Sequence, residues 1–367
     1  MKRISNCIKS GFVLGLTSFS VLVFSSINAQ EKRTNLAEKY THVHKSFEKA
    51  TCPIPRDNIK HFVYFSRDRE SLKEHMFLSS PRFEGAQIMY SWRQLEPIRD
   101  GYDFSIIRDD IAYLKQHDKS LFIQLQDATF NPNYKAIPNY LLAQEFDWGA
   151  TRQYNDNDEP EGWVSKRWNE SVQNRFALLL KALGREFDGI IRGINLQETS
   201  IGVNQEIDQS FTQEAYLKGL KKNMLAMKKA FPESITLIYA NFIPGEWLPF
   251  KDMGYLKEIY RYGEDIGVGL GAPDLMPDRK GQLNHALALM HEGQYSVPLG
   301  IAVQDGNYIG KTGSDFDYEE GLDYGESTRK NRVPMLHAFA KYFLNIDYIF
   351  WSNQFPYIEE DVLSCFN

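Results

Sequence analysis

Short apolar segments recur along the chain and alternate with segments whose apolar residues follow helical spacing. The strand-like segments cover residues 61–65, 86–90, 121–125, 190–196, 235–239, 266–270, 298–303 and 348–351. The helix-like segments cover residues 69–78, 104–117, 167–187, 211–230, 253–262, 281–292 and 328–344. Eight strands in alternation with helices predict an α/β fold, a (β/α)8 TIM barrel. No Gly-x-Gly-x-x-Gly motif follows the first strand, which argues against a doubly wound nucleotide-binding sheet.

The segment before the first strand predicts export. Residues 1–29 combine a basic start, an apolar stretch over residues 11–27 and the small residue Ala29, a pattern typical of a cleaved signal peptide. The alternative is a retained membrane anchor, although the apolar stretch is short for a spanning helix. Residues 30–55 form an N-terminal extension with helix-breaking prolines at its end, and residues 56–367 form the barrel, which we expect to be the catalytic domain. The predicted location is periplasmic or secreted.

Two cysteines of the mature chain fit an oxidising compartment. Cys7 lies in the signal peptide, which leaves Cys52 and Cys365 near opposite ends of the chain. Because the two ends of a closed barrel approach each other, a Cys52–Cys365 disulfide is the expected pairing, and two free thiols are the alternative. The eight histidines are scattered, with no HExxH and no CxxC motif, so neither a metal nor a cofactor is predicted.

The size and composition of the chain limit the number of domains and the classes of partner that we expect. The chain has 367 residues, 43% of them hydrophobic, which is enough for one large barrel domain. The formal net charge of −6 comes without a basic stripe, and this argues against nucleic acid and against stable membrane association. We expect a monomer. Residues 127–166, rich in Asn, Asp, Pro and aromatic residues, interrupt the alternation, and an insertion of this length is usually functional.

The fourth strand ends in an ionisable residue. Its apolar positions run directly into Glu198, and ligands of parallel α/β folds bind just beyond the carboxyl ends of the strands. Glu198 therefore stands where a catalytic residue is expected. The alternative is a solvated loop acid.

Polar and aromatic residues follow the other strands as well. The candidate substrate-binding residues are Trp92, Arg93, Asp127, Gln197, Asn241, Asp274, Gln304, Trp351 and Asn353. Carboxylates, amides and indoles with almost no lysine suit an uncharged, polyhydroxylated ligand such as a sugar. An anionic substrate would call for clustered Arg or Lys.

One segment resembles a known family. The sequence YSWRQLEP at residues 90–97, followed by GYDF at residues 101–104, is similar to the second βα unit of clan A glycoside hydrolases, particularly β-galactosidase-like families. The likeness extends by strand count over residues 56–360, but the letters match only in this segment, at Glu198 and at Trp351.

The resemblance implies roles for individual residues. It makes Glu198 the acid/base, although Gln197 stands where the family usually has Asn, and it makes Trp351 the floor of the subsite that receives the cleaved sugar. At strand seven the family has a Glu nucleophile, whereas this chain has Asp305. Glycoside hydrolysis needs two carboxyl groups, and Asp305 is the expected partner of Glu198, with Asp274 and Glu246 as alternatives.

These observations lead to one expected function and its rivals. We expect an exported glycoside hydrolase that cleaves O-glycosidic bonds of a poly- or oligosaccharide, so that a carbohydrate is the partner. The main alternative is a catalytically silent barrel that binds glycans. A lyase or a transglycosidase is a weaker reading.

Overall fold

The strands form a closed barrel and one small additional sheet. The computed structural model describes residues 39–312 and 329–367. Its strands, in chain order, are β1 (Lys60–Tyr64), β2 (Phe83–Ser91), β3 (Ser120–Gln126), β4 (Ala128–Thr129), β5 (Ala150–Tyr154), β6 (Pro160–Ser165), β7 (Gly193–Leu196), β8 (Ile235–Tyr239), β9 (Gly269–Ala272), β10 (Leu299–Val303) and β11 (Tyr348–Ser352). Eight of them close the barrel in the order β1-β11-β10-β9-β8-β7-β3-β2, and every pairing is parallel. The predicted (β/α)8 barrel is confirmed.

Helices connect the barrel strands. The α-helices longer than one turn are Ser105–Lys115, Glu170–Phe187, Gln213–Ala230, Tyr255–Ile266, Ala288–Gly293 and Arg332–Phe339. Short α-helical turns span Trp92–Leu95, Lys280–Gln282 and Ser364–Phe366, and π-helical segments span Leu283–Leu287, Ala340–Leu344 and Ile358–Leu363. The 3-10 turns are Val43–Phe47, Glu70–Leu72, Met76–Ser79, Asn139–Leu142, Gln144–Phe146 and Asn307–Ile309. Within the described ranges, each helix is too short or too polar to cross a lipid bilayer.

Three predicted elements differ from the structure. The fourth strand was predicted at residues 190–196 but begins at Gly193, and Ile190 is exposed. The helix predicted over residues 69–78 is instead a pair of 3-10 turns. The sixth strand was predicted at residues 266–270 but begins at Gly269, because the preceding helix runs to Ile266 and ends at Gly267 in the left-handed conformation. Glycine adopts this conformation without steric cost and therefore commonly ends helices.

The barrel interior changes from apolar to polar along the strands. Side chains alternate between the two faces of each strand. The deeper positions carry apolar and aromatic residues: Phe62, Phe122, Leu237, Tyr348 and Phe350. Nearer the carboxyl ends, buried Gln87 donates from Nε2 to Asn195 Oδ1 at 2.8 Å and to the Tyr239 hydroxyl at 3.2 Å. This polar layer supports the floor of the candidate site.

The insertion at residues 127–166 contains its own sheet. β4, β6 and β5 pair antiparallel in that order, and β4 follows β3 after a single residue. The sheet therefore stands at the carboxyl end of the barrel, where the ligand of this fold class binds.

A disulfide joins the two ends of the described chain. Cys52 and Cys365 are bonded, with 4.8 Å between their Cα atoms, and the Ile54 amide donates to the Cys365 carbonyl oxygen at 2.7 Å. The predicted pairing is confirmed. The predicted signal peptide, residues 1–29, and residues 30–38 of the N-terminal extension lie outside the described residues.

Candidate active site

A cavity of about 340 Å³ opens at the carboxyl ends of the barrel strands. Four residues predicted from the sequence line it: Gln197, Glu198, Gln304 and Asp305. Residues that the sequence analysis did not single out also line it, including Tyr64, Arg67, Gln124, Gln126, Phe130, Asn131 and Tyr239. The two expected catalytic carboxylates thus share one cavity.

Glu198 lies two residues beyond β7 and is hydrogen-bonded from the next strand end. Asn241, which follows β8, donates from Nδ2 to Glu198 Oε2 at 2.8 Å. The pKa of Glu198 is raised to about 8, mainly by burial and then by the charge of Asp274, while the Asn241 hydrogen bond opposes both effects. A carboxyl group with this pKa is largely protonated at neutral pH and can donate a proton. Asn241 was predicted to bind substrate, and in the structure it holds the carboxyl group of Glu198.

A buried ion pair holds the backbone at Glu198. Arg167 donates from Nη2 to Asp127 Oδ1 at 2.7 Å and from Nε to Asp127 Oδ2 at 2.8 Å. Its Nη1 donates to the carbonyl oxygen of Glu198 at 2.8 Å and to the Tyr216 hydroxyl at 2.9 Å. The Tyr216 hydroxyl in turn donates to the Thr199 carbonyl oxygen at 2.8 Å. The prediction that Asp127 binds substrate is wrong, because both of its carboxylate oxygens pair with Arg167.

Asp305 follows β10 and faces the same cavity. The Ser352 hydroxyl at the end of β11 donates to Asp305 Oδ1. The next residue, Gly306, has φ +83°, and a Cβ there would lie 2.9 Å from the Lys311 carbonyl oxygen, so glycine is needed at this turn. Burial raises the pKa of the Tyr64 phenol, and the charges of Asp305 and Glu198 raise it further. Both carboxylates therefore act on one phenol in the cavity floor.

The two alternative carboxylates have other partners. Asp274 Oδ1 accepts a hydrogen bond from Asn307 Nδ2 at 2.9 Å. Glu246 Oε2 accepts from the backbone amide of Tyr255 at 2.8 Å, at the first residue of a helix. Carboxylates commonly occupy helix N-termini, where amides lack intrahelical partners. Of the four candidate acids, only Asp305 and Glu198 line the cavity.

The amides near the cavity differ in how they are held. Gln197 Oε1 accepts from the backbone amides of Asp127 at 2.9 Å and Ala128 at 2.8 Å, so this side chain bridges β7 to the end of β3. Gln304 lines the cavity as predicted. Asn353 does not line it: its Oδ1 is 2.9 Å from His75 Nε2.

Both predicted tryptophans lie in the core instead of in the site. Trp92 is fully buried, and its Nε1 donates to Glu96 Oε2 at 2.8 Å, while Glu96 also pairs with Arg175. The family-like segment at residues 90–97 is therefore a packing motif here. Arg93, beside it, is anchored by its backbone amide to the Ala136 carbonyl oxygen at 2.7 Å and does not line the cavity.

Trp351 points out of the barrel because side chains alternate along β11. Phe350 faces the interior, so Trp351 faces the helical layer, where it is fully buried and donates to His61 Nδ1 at 3.2 Å. The prediction that Trp351 forms the floor of a sugar subsite is wrong. The next residue, Ser352, returns to the site side and contacts Asp305.

Two amide side chains on the interior face of β3, Gln124 and Gln126, also line the cavity, although neither was assigned a role from the sequence. Gln124 Oε1 accepts from the Tyr64 hydroxyl at 3.0 Å. Gln126 is 5% exposed, and its Oε1 has no hydrogen-bond partner among the described residues. The alternation of Phe122, Gln124 and Gln126 with apolar residues is the sequence signal that could have placed these amides inside the barrel. A buried acceptor without a partner on the cavity wall is suited to a ligand hydroxyl.

One group of potential metal ligands occurs in the described part of the chain, formed by Asp57, His61 and His337. Trp351 donates to His61 Nδ1, and burial lowers the pKa of His61 to about 4, so the neutral ring carries its proton on Nε2. That nitrogen is then protonated and not a metal ligand, and it lies 3.8 Å from Asp57 Oδ1. Lys341 Nζ lies 3.2 Å from Asp57 Oδ2 and supplies a positive charge. The group is a buried ionic cluster.

The fold is shared with solved structures of low sequence identity. The catalytic domain of β-amylase from Paenibacillus polymyxa matches with a TM-score of 0.51 and 10% identity, over 81% of this chain and 93% of that chain. Endo-glycoceramidase II from Rhodococcus sp., as a lactosyl-enzyme intermediate, matches with a TM-score of 0.50 and 10% identity, over 83% of this chain and 75% of that chain. No protein-family model and no curated protein sequence matches the chain. These likenesses bear out the fold that the clan A resemblance implied.

Proposed function

We propose that this protein is a glycoside hydrolase in which Glu198 is the general acid and Asp305 is the second catalytic carboxylate. One observation carries the proposal: a carboxyl group whose pKa is raised to about 8 lines the same cavity as a carboxylate from the seventh barrel strand. Two carboxyl groups in unlike environments are the requirement for glycosidic cleavage.

Each carboxyl group has a distinct task in this proposal. The protonated Glu198 donates its proton to the glycosidic oxygen, so that the leaving sugar departs as a neutral alcohol. Asp305 either attacks the anomeric carbon or removes a proton from the attacking water. The Ser352 hydroxyl donates to one oxygen of Asp305 and fixes the orientation of that carboxylate.

The lining of the cavity supports a sugar as the ligand. Amide side chains of Gln124, Gln126, Asn131, Gln197 and Gln304 line it. Amides can donate and accept at once, as sugar hydroxyls do, and the unpartnered Oε1 of Gln126 offers an acceptor. The names of the two structural neighbours, β-amylase and a lactosyl-enzyme form of endo-glycoceramidase II, agree with this class of ligand.

We also propose that the protein works outside the cytoplasm, in the periplasm or as a secreted protein. The disulfide between Cys52 and Cys365 supports an oxidising compartment, where such bonds persist. The signal-peptide pattern of residues 1–29 points the same way.

Release of reducing ends from a panel of polysaccharides and oligosaccharides tests the proposal. The wild-type protein is expected to cleave at least one member, and Glu198→Gln is expected to lose most of that activity. Isothermal titration calorimetry with the same panel tests the alternative of a catalytically silent barrel. That alternative predicts that the wild-type protein binds a glycan without cleaving it.

A further inference from the structure

Three basic side chains lie over two aromatic rings beside the loop at residues 130–135, the start of which lines the cavity. Arg67, whose side chain lines the cavity, places its guanidinium carbon 4.2 Å from the centroid of the Tyr134 ring. Lys135 Nζ lies 3.9 Å and Arg152 Cζ lies 4.1 Å from the centroid of the Trp163 ring. We call Arg67, Lys135 and Arg152 the cationic rim.

The loop at residues 130–135 lies between the cavity and the cationic rim. Phe130 and Asn131, at the start of this loop, line the cavity, and Pro132 follows directly. The Pro132 carbonyl oxygen accepts from Trp163 Nε1 at 2.9 Å and from Arg152 Nη1 at 3.0 Å. Arg152 and Trp163 are therefore attached to the loop that borders the cavity.

The three charges are not neutralised by carboxylates of the described chain. None of the three is in an ion pair with a described residue, whereas the neighbouring cations Lys166, Arg167 and Arg175 each pair with a carboxylate. Glu161, on the neighbouring strand, forms no described ion pair with them either, and burial followed by the charge of Asp156 raises its pKa. Three unpaired cations in one place are unexpected in a chain with a net charge of −6.

The cationic rim is better suited to binding an anionic group than to binding a neutral sugar. A neutral sugar ring would stack on an open aromatic face, but here cations already lie over the faces of Tyr134 and Trp163. The stacking also limits the conformations of the three side chains, which lowers the entropy that binding an anion would cost. Between the two catalytic carboxyl groups an anion would be repelled, so the negative groups must lie on sugars beside the cleaved bond.

We infer that the substrate is an anionic polysaccharide whose uronate carboxylates or sulfate esters bind the cationic rim next to the cleaved bond. This inference rests on the proposed function for the cleavage step, but the binding step can be measured separately. It also revises the expectation of an uncharged ligand, because Arg67, Lys135 and Arg152 are far apart in sequence and only the fold clusters them.

Affinity electrophoresis and titration calorimetry at low and high salt test the inference. The probes are polygalacturonate, the same chain after reduction of its carboxyl groups, dextran sulfate, dextran and a single-stranded oligonucleotide. The variants are the triple variant Arg67→Gln, Lys135→Gln, Arg152→Gln and a control, Lys181→Gln, Arg185→Gln, Lys229→Gln, which removes the same charge from exposed positions on outer helices.

The expected result is that wild type and control bind one of the anionic polysaccharides at least about tenfold more tightly than its neutral counterpart, in a salt-dependent manner. The choice between polygalacturonate and dextran sulfate identifies the anionic group. The triple variant, with an unchanged unfolding midpoint, is expected to lose this preference.

Three results would overturn the inference. The neutral chains could bind as tightly as the anionic ones, the triple variant could keep the full preference, or the oligonucleotide could bind as tightly as the anionic polysaccharide. Lack of binding to every probe would also overturn it. Cleavage of a neutral glycan that the triple substitution does not change would leave the proposed hydrolase standing and remove only the inference. Binding of an anionic polysaccharide that depends on the cationic rim, without cleavage of any probe, would support the binding inference and remove the proposed hydrolase.

Discussion

Arg167 donates from Nη1 to the backbone carbonyl oxygen of Glu198 at 2.8 Å. The guanidinium is buried and paired in a two-pronged manner with Asp127, so its position is fixed by two further hydrogen bonds. Its charge lowers the pKa of Glu198 and so opposes the burial and the Asp274 charge, which raise it. Arg167 is thus a positioning residue for the proposed acid.

Removing this pair should move the pH dependence of catalysis. In the double variant Asp127→Asn, Arg167→Gln, no buried charge is left unpaired, so we expect the variant to fold. Loss of the cation should shift the basic limb of the profile of kcat/KM to higher pH, and kcat should fall about tenfold because the Glu198 backbone loses its donor. A lower unfolding midpoint with an unmoved basic limb would indicate a purely structural role.

Glu198 should make the fold less stable as pH rises. Its pKa is about 8 in the folded protein against 4.5 ordinarily, so between these values the folded state binds more protons than the unfolded state. Stability from this group is present below about pH 4.5 and is lost as pH rises to about 8. Glu198→Gln should therefore be more stable than wild type at pH 8, by about 1 kcal/mol or more, and similar at pH 5. Urea unfolding at both pH values measures this, and an equal difference at both would contradict it.

The disulfide should contribute stability without affecting chemistry. It closes a loop with a sequence separation of 313 residues, and Cys52→Ser, Cys365→Ser should lower the free energy of unfolding by about 2–5 kcal/mol. Because neither cysteine lines the cavity, kcat at a temperature where both proteins are folded should be unchanged. Intact mass after alkylation without reductant gives the control. Two alkylated thiols in the wild-type protein would show that the bond does not form.

Ser352 and Trp351, although adjacent, should behave differently. Ser352→Ala removes the hydrogen bond to Asp305 and should lower kcat about tenfold, since a catalytic carboxylate loses its orienting donor. Trp351→Phe removes the donor to His61 in the core and should lower the unfolding midpoint while KM stays within about twofold. A large rise of KM in Trp351→Phe would place this indole in the sugar site after all.

The tryptophans show where sequence reasoning succeeded and where it failed. Apolar periodicity located the barrel strands, and counting them placed Glu198 and Asp305 at two strand ends that share a cavity. The letter match at Trp351 ignored the alternation of faces along β11, which sends Trp351 outward and Ser352 toward the site. A sequence match on a strand indicates a site residue only when the face of the strand on which that residue lies is also considered.

Other misses came from partners that are distant in sequence. Asp127 looked like a ligand residue because it follows a strand, but its partner Arg167 comes from the far end of the insertion. Gln124 was treated only as part of the third strand, and Gln126, just beyond the predicted strand, was given no role, although their alternation with apolar residues places both inside the barrel. The pairing of Asp127 with Arg167 cannot be deduced from local pattern, whereas the position of the two amides could have been.

The most direct test of the proposed catalytic pair is hydrolysis by Asp305→Asn beside its binding of the same glycan. If Asp305 is the second catalytic carboxylate, release of reducing ends should fall by about a thousandfold or more, while affinity measured by calorimetry stays within a few-fold of wild type. The amide can still hydrogen-bond a sugar hydroxyl but can neither attack the anomeric carbon nor deprotonate water. Full activity in Asp305→Asn would contradict the account.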